Sequence, residues 1–144
     1  DDVLYIYHPT VYRAEVDSVD FTEAFLDNDV LPLLDGDDFC KSYEIKHSME
    51  LGVEQKQAIH MALSHRFSII TGGPGTGKTT IIKALVEGFQ QGNLKRIVLC
   101  APTGRATKRL SEATGMEAYT IHRLLEPELD NTIYTFARNQ DEPL

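Results

Sequence analysis

The 144-residue chain lacks the features that mark several common protein classes. Its two cysteines, Cys40 and Cys100, are far apart and show no metal-binding spacing. We expect both to be reduced and structural, which predicts a cytoplasmic protein. No apolar run is as long as a membrane span and nothing resembles a signal peptide, so no membrane partner is expected. The length suits one domain, and a first residue Asp1 instead of methionine is typical of a piece of a longer protein.

Basic side chains are scarce, but they are unevenly distributed. The net charge of −8 argues by itself against a nucleic-acid partner. Residues 1–54 contain 14 acidic and 3 basic side chains, and residues 126–144 contain five and one. Residues 55–125 reverse this balance, with three acidic and ten basic side chains. This asymmetry is more informative than the total, because it predicts that the central block faces an anionic ligand.

The central block contains a glycine-rich motif. Residues 72–79, Gly-Gly-Pro-Gly-Thr-Gly-Lys-Thr, fit the phosphate-binding loop pattern G-x-x-x-x-G-K-[ST] at every constrained position. The apolar run 67–71 before it predicts a strand, and helical periodicity over 79–90 predicts the helix after it. Glycine permits backbone turns in which successive N–H groups point at one anion, and the start of the helix adds to the positive field. The motif therefore predicts a site for the phosphates of a nucleoside triphosphate.

Single residues around this loop have separate expected roles. Lys78 is expected to reach the β- and γ-phosphates, and the Thr79 hydroxyl to bind Mg²⁺. Gln55 precedes Gly72 by 17 residues, and its amide offers a donor and an acceptor that match an adenine edge. The alternative for Gln55 is a polar residue on a helix face. The candidate nucleotide-binding residues are Gln55, Gly73, Pro74, Gly75, Thr76, Gly77, Lys78, Thr79 and Thr80.

A second basic cluster follows a predicted strand at 96–101. Thr103 can donate its hydroxyl to a phosphate, and a helix that begins near Gly104 offers N–H groups to the same anion. Three basic residues share one face of this helix, namely Arg105, Lys108 and Arg109. An ordinary solvated helix start explains the same spacing, so spacing alone leaves both interpretations open.

The remaining segments complete an alternation of strands and helices, which predicts an α/β fold. Residues 52–63 show the stripe of an amphipathic helix, and 37–50 favour a helix over a strand. Residues 119–126 predict a short helical turn with Thr120 as its N-cap. Residues 131–136 predict a strand, and two aromatic side chains on one of its faces suit either base stacking or core packing, namely Tyr134 and Phe136.

Four of these segments together resemble motifs of superfamily 1 DNA helicases, most closely the RecD-like group that includes the exonuclease V alpha subunit. They correspond to the Q motif and to motifs I, Ia and Ib, and lie at 52–58, 70–80, 101–106 and 120–125. Residues 5–15 are also similar to the segment that leads into the motor of stand-alone RecD-like helicases. The resemblance implies a P-loop NTPase with a RecA-like parallel sheet, in which residues 1–48 are a lead-in segment and 49–144 an incomplete first RecA-like domain.

The resemblance also implies an activity. Members of the family are ATP-dependent 5′–3′ DNA helicases of DNA repair and recombination, and they act on single-stranded DNA and duplex junctions. Some work with other helicase or nuclease subunits. In this chain Lys78 and Thr79 would be catalytic, Thr79 would hold Mg²⁺ through ATP, and Gln55 would contact adenine. The implied nucleic-acid contacts are Thr103, Gly104, Arg105, Thr120 and His122.

One part of the motor is not found in the sequence. Walker B, an Asp-Glu pair after an apolar strand, is absent, because polar residues precede the pair at 141–142. In the family, a stretch like 136–144 comes just before the Walker B strand. We therefore expect the chain to end before that strand, and to bind nucleotide without hydrolysing it when alone. Two alternatives remain, another P-loop ATPase such as an AAA+ machine, or a nucleotide-gated binding module without turnover.

Overall fold

The computed structural model of the protein describes residues 6, 8–26, 32–94, 96–130 and 133–138. Within them lie the helices α1 (Pro9–Leu26), α2 (Gly36–His47), α3 (Val53–Ser64), α4 (Lys78–Gln91), α5 (Gly104–Thr114) and α6 (Ile121–Leu125), and the strands β1 (Leu99–Ala101), β2 (Ala118–Thr120), β3 (Pro127–Asp130) and β4 (Ile133–Phe136). The chain falls into two compact units, residues 1–72 and 73–144. The predicted boundary after residue 48 stays a prediction. None of the described helices is both long and apolar enough to cross a membrane.

The first unit has its core between α2 and α3. Helix α2 begins after Asp35, whose carboxylate accepts the N–H of Asp38 at 2.9 Å. Acidic residues in its first turn and basic residues in its last turn complement the helix dipole. The buried side chains are Phe39, Cys40 and Tyr43 from α2, and Ile59, Ala62 and Leu63 from α3. The amphipathic stripe predicted for α3 and the helix preferred for residues 37–50 are both confirmed.

Two contacts fix how α2 and α3 pack. Glu44 accepts a hydrogen bond from the Lys56 ammonium at 2.9 Å and another from the Leu51 N–H at 2.7 Å. The Lys56 bond, followed by the Leu51 bond, lowers the pKa of Glu44. Gly36 lies so close to α3 that a Cβ atom added to it would be 2.8 Å from the Cα of His60. The absent side chain at residue 36 is therefore what permits this helix–helix approach.

The second unit is built on a β–α–β crossover. Strands β1 and β2 pair in parallel, with Leu99 opposite Ala118 and Ala101 opposite Thr120, and α5 connects them. Parallel strands need such a crossover because a tight turn reverses the chain direction and would pair the strands antiparallel. Helix α5 packs on both strands and on α4. The buried residues of this unit are Ile81, Ala84, Val86, Gly88 and Ala101. Its helices and parallel strands agree with the predicted α/β class of P-loop NTPases.

A hairpin follows α6. Strand β3 pairs antiparallel with β4, and Pro127 lies opposite Phe136. Two contacts stabilise the open end of the hairpin. The Ala137 N–H donates to the Glu126 carbonyl at 3.0 Å, and Arg138 forms an ion pair with Glu126 at 3.2 Å. Strand β4 confirms the strand predicted at 131–136 over its last four residues, and residues 131–132 lie outside the described residues.

The strand predicted at 67–71, before the phosphate loop, is wrong. The described backbone has no strand there, and Ile69 is 70% exposed. Apolar composition indicates which side chains are suited to burial, but a strand also needs partner N–H and C=O groups opposite it. The same limit shortens the strand predicted at 96–101, which pairs only over Leu99–Ala101. Residues 3–7 have the composition of a short strand that ends before Pro9, but apart from Ile6 they lie outside the described residues.

Candidate functional site

The phosphate-binding motif forms a tight loop that leads directly into α4. Gly75 has a φ of 78° and Gly77 a φ of 80°, both in the left-handed region that other residues rarely adopt. Gly77 is the N-cap of α4, which begins at Lys78 and runs for 14 residues. The helix's own hydrogen bonds begin with the N–H of Thr80, which donates to the Gly77 carbonyl at 2.9 Å. The N–H groups before that point lie at the positive end of the helix dipole.

The loop carbonyl of Gly73 organises the two polar side chains of the motif. The Lys78 ammonium donates to it at 2.5 Å, and the Thr76 hydroxyl donates to it at 2.9 Å. The lysine side chain thus folds back over the loop that precedes it, and does not extend along α4. An anion bound by the loop N–H groups would lie within reach of the ammonium group, since the same short loop carries both.

These features fit the phosphates of a nucleoside triphosphate. A Cβ atom added at Gly75 would meet nothing within 4 Å, so the loop has open space beside it. The exposed Thr79 follows Lys78 in the first turn of α4, where a hydroxyl can serve as an oxygen ligand for Mg²⁺. The donor set therefore suits a polyphosphate with a hard cation.

Gln55 has a structural role that the sequence did not reveal. It occupies the third position of α3, and its side-chain oxygen accepts the N–H of Gly52 at 2.8 Å. This bond is half of a capping box, and it fixes the start of the helix. The side-chain amide has both an acceptor and donors, which is the chemistry that recognition of a base requires. The adenine contact stays a prediction.

Thr103 and Thr120 occupy equivalent positions in the crossover. Thr103 lies two residues after the end of β1, and Thr120 is the last residue of β2. Each is the N-cap of the helix that follows. The Thr103 hydroxyl oxygen accepts the N–H of Ala106 at 3.3 Å, and that of Thr120 accepts the N–H of Arg123 at 3.2 Å. Because Ala101 pairs with Thr120, both threonines lie at the carboxyl edge of β1 and β2. The N-cap role predicted for Thr120 is confirmed.

A cleft between α4 and α5 connects this edge to the phosphate loop. Its volume is about 330 Å³. The cleft is lined by Thr79, Ile82, Thr103, Arg105, Ala106, Arg109, Leu110 and Ala113. It therefore brings Thr79 of the loop together with two of the predicted nucleic-acid contacts, Thr103 and Arg105. Lys108, which shares the predicted basic face, does not line the cleft and lies 4.0 Å from the Glu112 carboxylate.

The other predicted contacts lie around this edge. Gly104 is exposed at the start of α5, and an added Cβ atom there would meet nothing within 4 Å. His122 is exposed on α6, with its ring centroid 6.3 Å from that of Phe136. No sequence pattern indicates this pairing between helix and hairpin. Phe136 is 38% exposed, so it keeps a ring surface open to solvent.

Comparison with known proteins identifies a family and several similar helicases. Residues 55–144 match the AAA domain family. The chain is 39% identical over 123 residues to the ATP-dependent RecD2 DNA helicase of Deinococcus radiodurans, a match covering 83% of this chain and 16% of that protein. It is 41% identical over 101 residues to the RecBCD enzyme subunit RecD of Mycolicibacterium smegmatis, covering 55% and 18%. A third relative, the ATP-dependent DNA helicase dda of Enterobacteria phage T4, is 46% identical over 57 residues, covering 40% and 13%. The chain thus spans less than a fifth of these relatives, and its resemblance to RecD-like helicases is confirmed.

Proposed function

The chain belongs to the AAA domain family, and from that membership we propose that it is the nucleotide-binding part of an ATP-dependent DNA helicase. The observation that carries the proposal is the cleft that Thr79 shares with Thr103 and Arg105. A helicase requires its nucleotide state to alter its binding of DNA, and a cleft shared by the two sites gives a direct way to couple them. In this unit the last residue of the phosphate-binding motif and a basic helix start line one cavity.

The nucleotide side of the proposal rests on the loop and α4. Lys78 would exchange its bond to the Gly73 carbonyl for bonds to the β- and γ-phosphates, and the loop N–H groups would hold the same phosphates. The Thr79 hydroxyl would hold Mg²⁺, and Gln55 would contact adenine while it caps α3. Hydrolysis of bound MgATP would supply the free energy of each step. We expect the full-length protein to complete this cycle and residues 1–144 alone to bind ATP without turnover.

The nucleic-acid side rests on the carboxyl edge of β1 and β2. Thr103 and Thr120 use their hydroxyl oxygens as caps, which leaves each O–H group to donate to a backbone phosphate. Arg105 adds a guanidinium group that can bind a phosphate oxygen pair. Gly104 and His122 lie next to these residues on the same two helices. We propose that this edge follows single-stranded DNA and that the protein moves 5′ to 3′ in DNA repair or recombination.

The relatives bear on the alternatives. Proteins named as DNA helicases or as RecD subunits are similar to this chain, which favours a helicase over another P-loop machine or a binding module without turnover. Several relatives are named as subunits of the RecBCD enzyme, and two are named as ATP-dependent DNA helicases. The proposal accordingly allows helicase or nuclease partner subunits, and it retains the cytoplasmic location expected from the cysteines.

The proposal is tested by comparing replacement of Lys78 with replacement of a control lysine on the same helix. Lys78→Ala in the full-length protein should lower ATP turnover at least about a hundredfold, because it removes a charge placed on the transferring phosphate. Lys83→Ala is the matched control, since Lys83 is exposed on the same helix and outside the motif. Unwinding of a duplex with a 5′ single-stranded tail should be lost in the Lys78→Ala variant and retained in the Lys83→Ala variant. A wild-type protein that hydrolyses ATP but unwinds neither 5′- nor 3′-tailed duplexes would instead favour another P-loop ATPase.

A further inference from the structure

Arg109 has no role in the function proposed so far, yet it lines the cleft between α4 and α5 together with Arg105. Both guanidinium groups belong to exposed residues. Among the described residues, neither forms an ion pair with a carboxylate, whereas their neighbour Lys108 lies near Glu112. Because both side chains are exposed, each keeps its charge in solvent and can reach an anion that enters the cleft. Two arginines that line one cleft without a carboxylate partner point to an anionic ligand.

The helix fixes the spacing of the two charges. Residues four apart lie one above the other on one face of a helix, and they are separated by about 6 Å along its axis. That separation exceeds the distance between two oxygens of one phosphate, so the arginines suit two phosphate groups in sequence. Thr103, the cap of the same helix, also lines the cleft and lies nearer to β1 along the chain.

The walls of the cleft discriminate between a bare polyphosphate and a polynucleotide. Ile82, Leu110 and Ala113 give the cleft an apolar wall that continues beyond Arg109. A volume of about 330 Å³ is also much larger than a single phosphate needs. Apolar walls suit the sugar and base faces that accompany phosphates along a strand. The phosphates of a nucleotide would instead be held by the loop N–H groups and Lys78.

We propose that this cleft binds two consecutive backbone phosphates of single-stranded DNA, one at Arg105 and the next at Arg109. The proposal rests on the proposed function, since it adds a second charge to the same DNA-binding edge. Arg109 binds the backbone and carries no base information, so it strengthens binding equally for all sequences. Since Thr79 lines the same cleft, the strand at Arg109 lies beside the helix that holds the nucleotide.

The test compares Arg109→Gln with Lys108→Gln in the full-length protein. Each variant removes one positive charge from α5, but only the first removes a charge from the cleft. Arg109→Gln should weaken single-stranded DNA binding about tenfold, and should flatten the log–log dependence of affinity on salt by about 0.7. Arg109→Lys, which keeps the charge, should keep most of the slope. Lys108→Gln should change affinity and slope much less.

Two further measurements separate the possible sources of phosphate. Binding of ATP without DNA should be the same for wild type and Arg109→Gln. If Arg109→Gln instead weakens ATP binding and leaves DNA binding intact, the cleft serves the nucleotide and the proposal is wrong. Equal effects of Arg109→Gln and Lys108→Gln would overturn it too, because they indicate general attraction by α5. If Arg109→Gln has no effect while Arg105→Ala weakens DNA binding, the helicase function stands and only this inference fails. A wild-type protein that does not bind single-stranded DNA contradicts both.

Discussion

Substitutions of Gln55 can separate its capping role from its predicted contact with adenine. The cap uses only the side-chain oxygen, whereas the adenine contact also needs the side-chain nitrogen. The side-chain oxygen caps α3 through the Gly52 N–H at 2.8 Å. Recognition of adenine requires the amide to donate and accept at once. Gln55→Glu keeps an acceptor for the cap and removes the donor, whereas Gln55→Ala removes both. The two variants therefore make different predictions for stability and for nucleotide preference.

The expected magnitudes differ enough to be measured. A bidentate contact to a base is worth about 1–3 kcal/mol, which corresponds to a loss of roughly 5- to 150-fold in the preference for ATP over GTP. Both Gln55→Ala and Gln55→Glu should show this loss. The cap is a separate, exposed hydrogen bond worth about 0.5–1.5 kcal/mol. Only Gln55→Ala should lose it, as a lower midpoint of thermal unfolding.

The assay is competition binding, with ATP and GTP displacing a fluorescent nucleotide from the full-length wild type and both variants. Thermal unfolding without nucleotide supplies the stability comparison. If Gln55→Glu leaves the ATP-to-GTP ratio unchanged, Gln55 is a capping residue and does not contact adenine. If Gln55→Glu is as destabilised as Gln55→Ala, the capping assignment is wrong.

Two further predictions concern the first unit. Gly36→Ala should destabilise the protein by about 1–3 kcal/mol in urea unfolding, because its Cβ atom would lie 2.8 Å from the His60 Cα. The control is Gly104→Ala, which should change the stability very little because an added Cβ atom there meets nothing within 4 Å. Glu44, whose pKa is lowered below its usual 4.5 by Lys56 and then by a backbone N–H, should stabilise the fold fully above that pH and lose this effect as the pH falls below it. Unfolding midpoints measured across that range should therefore depend less on pH in Glu44→Gln, and an unchanged dependence would show that this contact contributes nothing.

Sequence patterns predict helices α2 to α6 and the motif well because these features are local, whereas α1 was not predicted. Helix α3, the cap at Thr120 and the loop glycines follow from residues within a few positions of one another. The strand expected at 67–71 failed, since pairing depends on partners distant in sequence.

The candidate site shows the same division. Thr103 and Arg105 were identified by motif spacing, but that they share a cleft with Thr79 depends on how α4 packs against α5. The different surroundings of Arg109 and Lys108 could not be distinguished from sequence. They share one basic face, and only tertiary contacts separate the residue in the cleft from the one beside Glu112.

The pair of capping threonines limits what can replace them during evolution. At each of these positions the oxygen holds a helix N–H, and the O–H group is the part left to meet a ligand. Aspartate would preserve the cap but has no donor when ionised, and valine would preserve the shape but lose both functions. Serine keeps the hydroxyl, and asparagine keeps an acceptor and a donor on separate atoms. Thr103 and Thr120 are therefore positions where selection for folding and selection for binding permit nearly the same small set of residues.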